Sequence, residues 1–207
     1  MLKKGKLREV EQILPKQIIC YDVETTGLNP VEDEILQLSI VDGLGKVLFN
    51  DYIKPEHTNI WEDAERIHGI SPAMVEGKKL FREVKEKIQK IFDNASLIVS
   101  YNGVGFDNKF LQETGINLDN TIHFDVMKAF SPIYGEWNDY FRDFKWQKLV
   151  TCCDYFEYEG SDNWHDSLAD VQGTLFCFYK MRSLRYGYFE VPEVNIPDGM
   201  DEELPFN

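Results

Sequence analysis

Asp22-Val23-Glu24 follows directly on the apolar run Ile18-Ile19-Cys20-Tyr21. Residues i and i+2 of a strand point to the same side, so this spacing projects two carboxylates together at a strand end. Two such anions repel, and a fold gains nothing from pairing them unless a cation lies between them. The Thr25-Thr26-Gly27 turn sharpens a signal that is weak by itself in a chain with 36 acidic residues. A third carboxylate, Asp107, closes Ser100-Tyr101-Asn102-Gly103-Val104-Gly105-Phe106-Asp107, where a strand passes into a helix. Read locally, Asp107 is equally a helix-start carboxylate favoured by the dipole. The fourth is Asp170, in His165-Asp166-Ser167-Leu168-Ala169-Asp170. A histidine just ahead of a helix, with a carboxylate on its first turns, suits a mobile base beside an anchored metal ligand. Asp166 reads instead as a capping or first-turn carboxylate.

Regular elements must hold these groups in place. Residues 18–21 predict a buried strand ending at Asp22, 34–41 a second strand and 47–53 a third, with turn residues Asp42-Gly43-Leu44-Gly45 between the last two. These three form an expected antiparallel meander closed by Pro55. Apolar residues at 81, 84, 88, 91 and 92 make a helical stripe. Residues 97–101 predict a fourth strand, 106–113 a short helix stopped by Gly115, 121–124 a fifth strand, and 146–155 and 168–184 the last helices. Hairpin strands followed by strands alternating with helices specify an α/β fold, a mixed five-stranded sheet covered on both faces. The expected organisation is an N-terminal extension (1–16), one domain (17–190) and an acidic, proline-containing tail (191–207).

Bulk properties narrow the classes. A chain of 207 residues buries one sizeable core. No apolar run approaches the ~20 residues needed to cross a bilayer. The first eight residues carry the charge of a signal peptide without its apolar stretch, so the expectation is a cytoplasmic protein with no membrane partner. None of the four cysteines has C-x-x-C or zinc-site spacing, and reduced, mostly buried thiols are expected. The net charge of −14 opposes binding of a polyanion unless cations neutralise the carboxylates and basic residues gather locally. Lys3, Lys4, Lys6 and Arg8, then Lys78, Lys79, Arg82, Lys85, Lys87 and Lys90, are the two local basic groups, each more simply explained as solvated surface charge.

Taken together, D-x-E-T-T-G at residues 22–27, N-x(3)-F-D at 102–107 and H-x(4)-D at 165–170 resemble the DEDD 3′→5′ exonucleases, over roughly residues 17–185. The middle motif is one residue longer than its tightest form. A histidine five positions before the last aspartate matches the DEDDh (DnaQ-like) branch, which includes the proofreading epsilon subunits. That resemblance implies a ribonuclease H-like fold and two ions, Mg²⁺ or Mn²⁺, held by Asp22, Glu24, Asp107 and Asp170. It implies His165 as general base, and substrate contacts from Thr25, Thr26, Asp63, His68, Asn102 and Phe106. The histidine of Ile67-His68-Gly69-Ile70-Ser71 and the acidic residue five before it would meet the terminal nucleotide. The expected substrate is the 3′ end of single-stranded or frayed DNA, with a DNA polymerase or another replication or repair protein as partner. An RNA 3′-end trimmer resembling ribonuclease T or oligoribonuclease shares the same five residues, and a non-catalytic binding module would share the fold. Asp201-Glu202-Glu203-Leu204-Pro205-Phe206 is similar to the acidic tip of bacterial single-stranded-DNA-binding proteins, which implies a docking tail, although Asn207 follows the phenylalanine.

Overall fold

The computed structural model describes residues 13–119, 121–160 and 164–183. The basic group at residues 3–8, most of the N-terminal extension and the whole acidic tail lie outside the described residues. A five-stranded sheet organises the remainder: β1 (Ile18–Thr25), β2 (Ile35–Asp42), β3 (Val47–Tyr52), β4 (Leu97–Ser100) and β5 (Ile122–Asp125), in the order β3-β2-β1-β4-β5. β1 pairs antiparallel with β2, and β2 with β3, which completes the meander. β4 joins β1 in parallel, and β5 joins β4 in parallel. The helices are α1 (Glu62–His68), the single turn α2 (Pro72–Val75), α3 (Phe81–Asp93), α4 (Asp107–Glu113), α5 (Val126–Tyr134), α6 (Leu149–Tyr155) and α7 (Ser167–Ser183). A two-stranded ribbon, β6 (Trp137–Asn138) with β7 (Asp143–Phe144), lies between α5 and α6.

Strand alternation divides the core. Ile18, Cys20, Val41, Leu97 and Val99 pack with Val171, Leu175 and Phe178 of α7 and with Cys152 and Cys153 of α6. Ile19, Tyr21, Val23, Leu38, Ile40 and Ile98 pack on the other face with Phe81, Val84, Ile88 and Phe92 of α3 and Phe110 and Leu111 of α4. Burying both faces leaves β2 without an exposed position, as a strand inside a doubly covered sheet requires. All four cysteines are free and buried, in keeping with the sequence expectation.

Boundaries differ from expectation where side-chain pattern is a poor guide to pairing. β1 continues to Thr25 rather than ending at Asp22, because β2 pairs with it through Glu24 and Thr25. Asp22 and Glu24 therefore sit within paired strand. The last turns also shift: α6 begins at Leu149, not 146, and Trp146 is exposed in the connection before it.

Candidate active site

Parity along β1 decides where the first two carboxylates go. Ile18 and Cys20 face α7, so Asp22 and Glu24, at the same parity, continue that face. α7 brings Asp170 to them from its first turn. Asp107 arrives from the opposite side as the first residue of α4, and the Val23 N–H donates to its Oδ1 at 3.2 Å. That bond ties the α4 start to β1 between the other two carboxylates. Ligand atoms of Glu24, His165 and Asp170 all lie within 4.8 Å of one another.

Electrostatics link the four acids into one group. Desolvation, followed by repulsion from Asp107, Glu24 and Asp170, raises Asp22 well above the ordinary carboxylate range. Burial and the negative charge of Asp170 and Asp107 push Glu24 up to about 9. Asp107 is pushed up to about 7, mainly by burial, against hydrogen bonds from its own backbone and that of Val23. Asp170 is pushed up to about 6 by burial, with the His165 backbone N–H opposing the shift. One Asp170 oxygen, Oδ1, is buried without a hydrogen-bond partner among the described residues. A buried, mutually repelling set of oxygen donors with an orphaned carboxylate oxygen fits a hard divalent cation, which would replace repulsion by attraction.

His165 is exposed and takes a left-handed backbone, φ 68°. That conformation is uncommon for a side-chain-bearing residue, and it sets the imidazole outside α7 rather than on it. Asp166 caps the helix instead: its Oδ1 accepts the N–H of Leu168 (3.1 Å) and Ala169 (3.2 Å). Sequence reasoning missed what holds this helix end on the sheet. Gln37, the β2 partner of Glu24, donates Nε2 to Asp166 Oδ2 at 3.3 Å and accepts the Ser167 N–H at 3.4 Å. Ser39 shares a 2.6 Å hydroxyl contact with Ser167. The available signal was two polar residues, 37 and 39, at one parity inside an otherwise apolar strand.

The remaining candidates differ in what they contact. Thr25 Oγ1 donates to Gly27 O at 2.6 Å, and Thr26 Oγ1 donates to Asp33 at 3.1 Å while accepting the Glu34 N–H at 2.9 Å, so both hydroxyls shape the turn. His68 accepts the Ile70 N–H at Nδ1 (3.0 Å), which leaves Nε2–H to donate to Thr25 O (3.2 Å). Burial lowers its pKa, consistent with a neutral ring, and His165 lies close enough to lower it further. Asp63 is exposed on the first turn of α1 and paired with Arg66. Asn102 adopts φ 62° and donates its N–H to Asp125 Oδ1 at 3.1 Å. Phe106 packs on Phe110, ring centroids 4.9 Å apart. Asp125, unremarked in the sequence, thus holds the turn that delivers Asp107, and its charge helps to raise Asp107.

Comparison with known proteins follows the same residues. The family model described as Exonuclease (RNase_T) matches residues 19–178. A PolC-type DNA polymerase III of Caldanaerobacter subterraneus is 27% identical over 196 residues, covering 90% of this chain and 13% of its own length. An uncharacterised exonuclease of Escherichia phage 186 is 26% identical over 166 residues, covering 76% of this chain and 84% of its own. The DNA polymerase III epsilon subunit of Rickettsia felis is 36% identical over 98 residues, 45% of this chain and 42% of its own. The chain therefore spans only a small part of the PolC-type polymerases that it matches. Among solved structures, an E. coli exonuclease I–single-stranded DNA complex superposes with a TM-score of 0.65 at 19% identity, covering 83% of this chain and 41% of that one, and so shares the fold.

Proposed function

The chain belongs to the RNase_T exonuclease family, the DnaQ-like 3′→5′ group, and on that premise we propose that it hydrolyses the terminal phosphodiester bond at the 3′ end of single-stranded or frayed DNA. The product is a nucleoside 5′-monophosphate. The observation that carries this reading is the convergence of Asp22, Glu24, Asp107 and Asp170 with a histidine around the end of β1. These four carboxylates would hold two ions, Mg²⁺ or Mn²⁺. When bound, such ions stabilise charge on the phosphoryl oxygens and acidify water. His165 accepts a proton from the attacking water at a ring nitrogen, as a general base within reach of the metal-binding carboxylates. Its exposed left-handed position leaves the imidazole free to approach and withdraw. The water oxygen bonds to phosphorus, the P–O3′ bond breaks, and the departing 3′ oxygen gains a proton.

DNA is preferred as substrate because polymerase III names recur among the relatives. The PolC-type relatives carry the similar segment inside a polymerase chain, which supports action beside a polymerase or another replication or repair protein. Single-stranded DNA and RNA of one sequence, labelled at the 5′ end and digested side by side with Mg²⁺, test this. The expected result is a ladder shortening from the 3′ end, faster on DNA. A ladder on RNA alone would move the assignment to RNA 3′-end trimming, and no cleavage of either strand with Mn²⁺ would leave only a binding module.

A further inference from the structure

Among the described residues every largely exposed aromatic ring lies between positions 134 and 155: Tyr134, Trp137, Tyr140, Phe141, Trp146 and Tyr155. Leaving this much aromatic surface in water is unfavourable, and such patches mark interaction sites. The rings are also held in place. Asn138 Oδ1 accepts the N–H groups of Tyr140 (3.0 Å) and Phe141 (3.2 Å), which fixes the tip of the β6–β7 ribbon. Tyr140 stands 87% exposed and Phe141 73% exposed, their rings edge to face at 4.9 Å. Arg142, next in the chain, takes φ 53°, so the turn is built on a backbone that glycine would occupy more easily. At the base, Trp137 meets Phe144 edge to face at 5.2 Å.

Position and charge indicate the occupant. Tyr101 donates its hydroxyl to Gln147 O at 2.8 Å, and Tyr101 leads directly into the Asn102–Asp107 turn. The C-terminal leg of the ribbon is thereby anchored to the residue that follows β4 and precedes the turn leading to Asp107. Arg142, Lys145 and Lys148 balance Glu136, Asp139 and Asp143, so residues 136–148 are neutral in a chain of net charge −14; Lys145 pairs with Glu136 at 2.6 Å, which leaves Arg142 and Lys148 as the cations offered to a phosphate. Cations interleaved with aromatic faces on a locally neutral surface suit a strand whose bases stack and whose phosphates need counter-charge. We propose that the β6–β7 ribbon is a stacking platform for unpaired nucleotides 5′ of the scissile bond, with Tyr140 and Phe141 as its principal faces. The inference rests on the exonuclease reading and adds a second contact zone to it.

The test uses fluorescence anisotropy of 5′-labelled single strands with Ca²⁺ in place of Mg²⁺, for wild type, Tyr140→Ala/Phe141→Ala and Tyr140→Phe/Phe141→Tyr. Stacking on one aromatic contributes enough that the alanine pair is expected to weaken a strand of about 12 nucleotides at least roughly tenfold. The weakening should be smaller for a trinucleotide, and the aromatic-for-aromatic pair should bind as wild type does. Tyr140→Trp supplies an independent readout, because its fluorescence should be quenched when a base stacks. Unchanged affinity of the alanine pair for both lengths would overturn the platform. So would loss of wild-type self-association in that variant with strand binding intact, which would assign the surface to protein contact. Digestion by wild type with Mg²⁺ tests the underlying reading separately: cleavage with no effect of the alanine pair refutes only the platform, and absence of cleavage refutes the exonuclease.

Discussion

His165, Asp166 and Asp170 show how neighbouring polar residues divide the work. His165 stands outside α7, Asp166 binds backbone N–H groups, and Asp170 keeps a buried oxygen without a hydrogen-bond partner among the described residues. Replacing His165 by alanine is expected to lower the cleavage rate by about 10² or more while circular dichroism stays unchanged, the loss usual for a general base. Asp166→Ala should behave oppositely, lowering stability by about 1 kcal/mol through the lost cap and reducing cleavage less than Asp170→Ala does. Chemical denaturation and initial rates on the two variants measure both effects. At this scale the sequence was informative about residue type and spacing, since D-x-E and H-x(4)-D are local patterns. It was silent on Gln37 and Asp125, whose roles depend on partners more than 120 and more than 20 residues away in the chain respectively. It also left open what the His68 ring nitrogens bind; both engage backbone groups.

Elements place these residues, and close packing of α7 on α6 near Gly173 helps to fix Asp170. Gly173 lies one turn beyond Asp170, and a Cβ there would stand 2.9 Å from Cys153 Sγ and 3.3 Å from the Trp164 ring. A larger side chain must push α7 away from α6. Gly173→Val is expected to destabilise the protein by about 1–3 kcal/mol and to lower cleavage beyond its effect on folding, because Asp170 moves with the helix. Urea titration with rates measured far from the transition separates the two. The meander was readable from short apolar runs bounded by turn residues, and the α3 stripe from its 3.6-residue periodicity. α1, α5 and the β6–β7 ribbon were not. α1 buries no side chain, Pro132 interrupts the pattern of α5, and a two-residue ladder leaves no periodicity to find.

For the whole molecule, four of the 36 acidic residues are gathered at one site and raised by burial and mutual repulsion. Each holds its proton more tightly folded than unfolded, so the native state binds more protons over this range. Without metal, that stabilisation is fully present below about pH 4 and is lost as pH rises. The loss runs upward from about pH 4 and is complete near 6 for Asp170, 7 for Asp107 and 9 for Glu24. Melting temperature in EDTA is therefore expected to fall between pH 6 and 9, and Mn²⁺ should raise it most at the alkaline end, where the ligands are ionised. A flat profile, or equal stabilisation by Mn²⁺ at both ends, would count against a shared cation site. Among the described residues no helix is long and apolar enough to cross a membrane. The central claim is that the four carboxylates act as one cation-dependent site on a 3′ end. Its most direct test is release of nucleoside 5′-monophosphate from 5′-labelled single-stranded DNA, comparing wild type with Asp22→Asn in Mg²⁺ and in EDTA. Stepwise shortening by wild type in Mg²⁺, abolished by EDTA and at least about 10² slower in the variant, is the predicted result. Equal rates for the two proteins, or cleavage that survives EDTA, would contradict it.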